Sequence, residues 1–152
     1  MNKPNIAHRG NLNGPNPEEE NRPEYIKKSI ALHFQCEVDV WKIENDWFLG
    51  HDEPKYRVDF KFFKDHQHDL WLHCKNEDAL YYFYRTFDRK DFNFFWHDTE
   101  KYILTSRGDI WCYPSKEPIF FGINLMPEWN NLTRKDLKNC RGICSDYILK
   151  YK

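Results

Sequence analysis

At 152 residues, with 40% hydrophobic and 18% aromatic content, the chain has the length and apolar surface of one domain with a sizeable core, which excludes a disordered segment. Its formal net charge of -1, from 23 basic and 24 acidic residues, excludes a global field that would draw it onto nucleic acid or an anionic membrane. No segment approaches the roughly 18 apolar residues that span a bilayer. No nucleic-acid partner and no stable membrane insertion are therefore expected, and recognition falls to local clusters.

In chain order, short apolar and aromatic runs at residues 5–7, 35–40, 47–49, 70–72, 92–96, 102–104, 110–113, 119–125 and 142–144 read as strands. Residues 23–34 and 76–87 read as helices: Pro23 suits a first turn, and Leu80, Phe83, Tyr84 and Phe87 recur at helical spacing. Strand, helix, strand, helix, strand is the pattern of parallel βαβ units, whose active residues collect at the carboxyl ends of strands. After Trp96 the strands follow on short connections punctuated by Pro114, Pro118 and Pro127. The expectation is one domain over residues 1–152 in the α/β class, a compact TIM-type (β/α) barrel with several helices missing in its second half. Cys36, Cys74, Cys112, Cys140 and Cys144 are odd in number, and the opening Met-Asn-Lys-Pro-Asn has no basic segment followed by an apolar run. Reduced thiols and a cytoplasmic location are expected.

The first strand runs into Ala7-His8-Arg9-Gly10. An imidazole exchanges protons near neutral pH, a guanidinium offers a planar fork to phosphate oxygens, and a glycine lets the backbone approach. In the second strand Glu37 and Asp39 are two apart and share a face, while Cys36, Val38 and Val40 mark the other face as apolar. Two converging carboxylates repel unless a cation lies between them, and oxygen ligands at this spacing suit Mg²⁺ or Ca²⁺. The next strand runs into Gly50-His51-Asp52, which supplies a second histidine, so that one can act as base and the other as acid. Asp52 either orients His51 or caps the following turn.

Ala7-His8-Arg9-Gly10, then Glu20-Asn21-Arg22-Pro23-Glu24-Tyr25 before a helix, then Glu37-Val38-Asp39-Val40, then Gly50-His51-Asp52, resembles the glycerophosphodiester phosphodiesterases of the phosphatidylinositol-phospholipase-C-like superfamily. Close resemblance covers about the first 50 residues, with weaker echoes at Leu72-His73-Cys74-Lys75 and at residues 142–147. The resemblance implies a metal-dependent phosphoric diester hydrolase acting on a glycerophosphodiester or similar small diester. It makes His8 and His51 the acid/base pair, Glu37 and Asp39 ligands of one divalent cation, and Arg9, Lys75 and Asn21 substrate-binding residues. In that family a substrate hydroxyl beside the diester commonly attacks phosphorus and gives a cyclic phosphate.

The chain departs from the family at the third strand, where His73 stands two residues before the lysine in place of an acidic ligand. As a ligand, His73 makes the site less negative and opens it to Mn²⁺ or Zn²⁺ beside Mg²⁺ or Ca²⁺. Otherwise it faces solvent or substrate, and the carboxylates hold the ion with water. The shortened second half implies fewer loops and a more open site. There His97 reads as a substrate contact or a polar cap, and Trp111, with Tyr113 on the same face, as a stacking surface or as core. A catalytically degenerate phosphate-ester-binding protein on the same barrel is the alternative. Aromatics left uncovered by missing helices leave room for a homodimer.

Overall fold

The computed structural model describes residues 3–152. Its elements, in chain order, are β1 (Asn5–His8), α1 (Pro23–Ala31), β2 (Gln35–Ile43), β3 (Asp46–Leu49), β4 (Tyr56–Val58), α2 (Lys61–Asp65) and β5 (Leu70–Cys74). They continue with α3 (Glu77–Thr86), β6 (Asn93–Phe95), β7 (Tyr102–Leu104), β8 (Ile110–Cys112), β9 (Gly122–Leu125) and β10 (Gly142–Ser145). Two short 3-10 helices, Pro127–Asn130 and Ile148–Tyr151, flank β10.

All ten strands belong to one curled sheet. Its parallel part runs β6-β5-β2-β1-β10-β9-β8, and β3 and β7 add antiparallel to β2 and β8. The first and last strands are thus neighbours, with Ile6 opposite Cys144. Among the described residues no backbone ladder joins β6 to β7 or β8. That gap is bridged instead by Ser106, whose N–H donates to the Phe94 carbonyl (2.9 Å) and whose hydroxyl accepts from the Phe94 N–H (2.9 Å).

The expected TIM-type barrel is therefore not the fold. The molecule is mostly strand, with three α-helices, all before residue 87, in place of a helix after every strand. The physical reason lies in the second half. β7 and β8 form an antiparallel pair, Pro114 and Pro118 break the connection from β8 to β9, and β9 leads to β10 with only a 3-10 turn.

The helices that do form have clear local causes. Pro23 fits the first turn of α1 and Ile26 and Ser29 turn inward. Asn76 caps α3 by accepting from the Ala79 N–H (3.3 Å), while its amide donates to the Lys42 carbonyl at the end of β2 (2.7 Å). Alternate residues of each strand divide between two cores. On the convex side Ala7, Cys36, Val38, Val40, Leu70, Leu72 and Phe94 pack with Ile26, Ala79 and Phe83 of the helices. On the concave side Ile6, Trp71, Phe95, Trp111, Ile123 and Cys144 form a smaller apolar plug. The polar residues of interest stand above that plug, at the carboxyl ends of the parallel strands.

Candidate metal centre

Glu37 and Asp39 share the concave face of β2, and Asp39 stands opposite His73 in the register with β5. His8 ends β1, opposite Glu37. The chain then turns at once, with Arg9 (φ 51°) and Gly10 (φ 89°) both left-handed. The strained Arg9 backbone is held because its N–H donates to both the Glu37 carbonyl (3.0 Å) and Glu37 Oε2 (3.3 Å).

Glu37, Asp39 and His73 each offer a ligand atom, all within 4.8 Å of one another, and the cluster can hold a metal ion. Donors about 2.1 Å from an ion and at right angles stand about 3 Å apart. His73 Nδ1 lies 3.1 Å from Asp39 Oδ1 and 3.6 Å from Glu37 Oε1. The ring's tautomer sharpens the point. His73 Nε2 is 2.8 Å from the His97 carbonyl oxygen, which only accepts, so Nε2 carries the proton. In neutral His73 the Nδ1 lone pair therefore faces two carboxylates, an arrangement that calls for a cation or a second ring proton. Opposite a neutral His73 the buried Asp39 Oδ1 receives no hydrogen bond, which leaves it a free ligand atom pointed the same way, whereas a second ring proton on Nδ1 would reach it at 3.1 Å. Burial alone would lower the His73 pKa, but hydrogen bonds to Asp39 and Glu37 outweigh it and raise the value to about 9.

The other oxygen of Asp39 is fully engaged. Oδ2 accepts from Asn21 Nδ2 (2.8 Å) and lies 3.1 Å from Arg9 Nε. Asn21 Oδ1 in turn accepts from the Asp39 N–H (2.9 Å). Asn21, expected on substrate, thus spends both ends of its amide fixing the second carboxylate of the cluster. Burial would raise the Asp39 pKa, but His51, His73 and Arg9 together hold it well below the usual carboxylate range.

The two expected acid/base histidines have opposite partners. His8 Nδ1 is 2.7 Å from Asp146 Oδ1, so Nδ1 carries the proton and Nε2 is left as an acceptor, 3.8 Å from Glu37 Oε2. His51 Nδ1 accepts from Arg9 Nη2 (2.7 Å), which leaves the proton of a neutral ring on Nε2. Arg9 also donates to Glu20 Oε2 (3.2 Å). Lys75 Nζ lies 3.8 Å from Asp39 Oδ1. With His73 neutral, as a metal ligand must be, Glu20, Glu37, Asp39 and Asp146 set four negative charges against two from Arg9 and Lys75, a deficit that one divalent cation matches.

Apart from the buried Asp39 and Asn21, these side chains line a cleft of about 500 Å³. His97 is buried at its edge, with Nε2 on the Glu100 carbonyl oxygen (2.9 Å). Trp111 is only 2% exposed, wedged between Trp71 and Phe95 at ring distances of 5.7 and 4.7 Å, and forms the floor of the cleft. All five cysteines are free and buried. No helix of the described residues is long and apolar enough to cross a membrane.

Sequence reasoning gave no role to Glu20, Asn11 or Glu128 and left Asp146 with a weak one. Asn11, fully buried, donates through Nδ2 to both Glu20 Oε1 (2.8 Å) and Asp146 Oδ1 (2.8 Å), linking the group that holds Arg9 to the group that holds His8. Glu128 accepts from the Ser145 hydroxyl (2.8 Å) and the Asp146 N–H (3.1 Å). The only sequence signal for Asp146 is its place after the last strand, and for Asn11 its place after the His8-Arg9-Gly10 turn. No family model, curated protein or solved structure matches the chain, and the resemblance to the glycerophosphodiester phosphodiesterases is one of motifs alone.

Proposed function

We propose that the chain is a metal-dependent phosphodiesterase acting on a small phosphodiester. The observation that carries the reading is the Glu37–Asp39–His73 cluster lying between Arg9 and Lys75 and flanked by two histidines of opposite tautomer. A bound divalent cation would supply charge neutralisation at the phosphate's non-bridging oxygens. The donor set of one imidazole and two carboxylates favours Mn²⁺ or Zn²⁺ over Ca²⁺.

The chain's own residues account for the rest. Arg9 has N–H donors beyond those given to Glu20, Asp39 and His51, and these with Lys75 Nζ bind and orient the phosphate. His8, held by Asp146, accepts the proton of a substrate hydroxyl at Nε2, and the freed oxygen bonds phosphorus to give a cyclic phosphate. The bond from phosphorus to the departing alcohol oxygen breaks, and that oxygen takes the Nε2 proton of His51 in its imidazolium form, whose Nδ1–H faces Asp39 Oδ2 (3.4 Å) and which is left as the neutral ring. His8 and His51 then exchange roles if water opens the ring.

The competing reading is a phosphate-ester-binding protein without turnover, and one observation favours it. A doubly protonated His73 lies against both carboxylates and completes the cluster without an ion. One experiment separates the two. Glycerophosphodiesters and a chromogenic bis-aryl phosphate are offered with Mg²⁺, Mn²⁺, Zn²⁺, Ca²⁺ or chelator to the wild type, His8→Ala and Glu37→Ala. Metal-dependent product that both substitutions reduce by at least about a hundredfold supports the enzyme. Retention of phosphate esters without product under every metal supports the binding protein.

A further inference from the structure

Building on the phosphodiesterase reading, we infer that the alcohol of the diester is a sugar ring and that Trp129 is the surface on which it stacks. Trp129 lines the same cleft as His8 and Glu37 and is 65% exposed, so its indole is open to a ligand bound there. Its backbone is tightly held. Met126 (φ 45°) and Asn131 (φ 57°) are both left-handed, the Trp129 N–H donates to the Met126 carbonyl (3.1 Å), and the Leu132 N–H donates to that of Pro127 (3.1 Å). The carboxylate of Glu128 fastens this turn to Ser145 and to the N–H of Asp146, the residue that orients His8. An aromatic residue on a turn whose backbone is fixed before any ligand arrives, and which is tied through Asp146 to His8, is what a stacking platform requires.

Tyr113 extends the aromatic surface. It is 39% exposed, lines the cleft, and stands edge-on to His97 with ring centres 5.9 Å apart. Polar acceptors lie in the same lining: Asp98 is there, and His97 donates through Nε2 to the Glu100 carbonyl, which leaves its Nδ1 as an acceptor. Aromatic faces beside hydroxyl acceptors fit a ring with apolar C–H faces and an equatorial belt of hydroxyls. Glycerol has no flat face to stack, and an acyl chain needs a continuous apolar channel, which the charged lining interrupts.

The test compares two diesters that share a glycerol phosphate, one esterified to a hexose and one to a second glycerol, with hydrolysis followed by phosphorus NMR. For Trp129→Ala the hexose-to-glycerol ratio of kcat/KM is expected to fall about tenfold, the scale of one lost ring contact, with Trp129→Phe retaining most of it. An unchanged ratio overturns the inference. Should neither diester be consumed, the phosphodiesterase reading fails, and saturation-transfer NMR with a hexose monophosphate decides the stacking. Saturation of the hexose ring protons in the wild type that is lost in Trp129→Ala upholds the platform; no saturation, or equal saturation in both proteins, overturns it.

Discussion

At the scale of single residues, His73 decides what the site can hold. Its ring stacks flat on Phe95 (5.4 Å, 4° between planes) and its Nε2–H is committed to a backbone carbonyl, so only Nδ1 remains for the cluster. A nitrogen donor there costs one negative charge relative to a carboxylate, and affinity for hard ions rises with the count of ligand charges. His73→Glu should therefore raise affinity for Ca²⁺ or Mg²⁺ by at least about tenfold in titration calorimetry. The same change should lower the urea midpoint in chelator, because three carboxylates then crowd together and the His97 carbonyl loses its donor. Unaltered Ca²⁺ and Mg²⁺ affinity would mean that position 73 does not touch the ion.

At the scale of elements, most strands and both longer helices were legible because each carries its own local signal. α3 shows a helical spacing over an Asn cap, and β2 shows alternation with apolar Cys36, Val38 and Val40 opposite the carboxylates. β4 and α2 were not legible. They have three and five residues, and Arg57 and Lys61 interrupt any apolar pattern, so their structure comes from β3 and from Phe62 and Phe63 entering the core. The loop between β3 and β4 is the element-level feature that places His51. The Gly50 N–H donates to the Asp39 carbonyl (3.1 Å), and the Gly50 carbonyl accepts from Trp41 Nε1 (2.7 Å). A methyl group on Gly50 would fall 2.1 Å from the Glu53 carbonyl oxygen, so the loop must move. Gly50→Ala should cost about 1–3 kcal/mol in urea unfolding. Turnover should fall further than the folded fraction does, because His51 moves with the loop.

At the scale of the whole molecule, the expectation of a barrel failed, yet Glu37, Asp39 and His73 still come together as a cluster able to hold a metal ion. Strand-end placement depends on parallel neighbours, and β1, β2, β5 and β10 are parallel here whether or not a helix follows each strand. What the sequence could not reveal was pairing across the chain: His8 meets Asp146 over a separation of 138 residues, so this part of the site assembles only when the sheet is complete. The charges of the site are therefore coupled to global stability. For Asp146, burial would raise the pKa, but His8 and Asn11 more than offset it, and the value falls below the ordinary one. Such a group stabilises the fold above its unfolded pKa, about 4, and loses that contribution as the pH falls through its folded value. His73 has the opposite sign. Its folded value of about 9 stabilises the metal-free fold below its unfolded pKa of about 6.5, and the contribution disappears as pH rises through about 9. In chelator the urea midpoint should therefore be highest between about pH 4 and 6.5 and decline on both sides. Asp146→Asn should flatten the acid decline and His73→Gln the alkaline one. A midpoint constant from pH 6.5 to 9 in the wild type would show that the carboxylates do not hold a proton on His73, and would remove the observation that favours a protein able to complete its cluster without a metal.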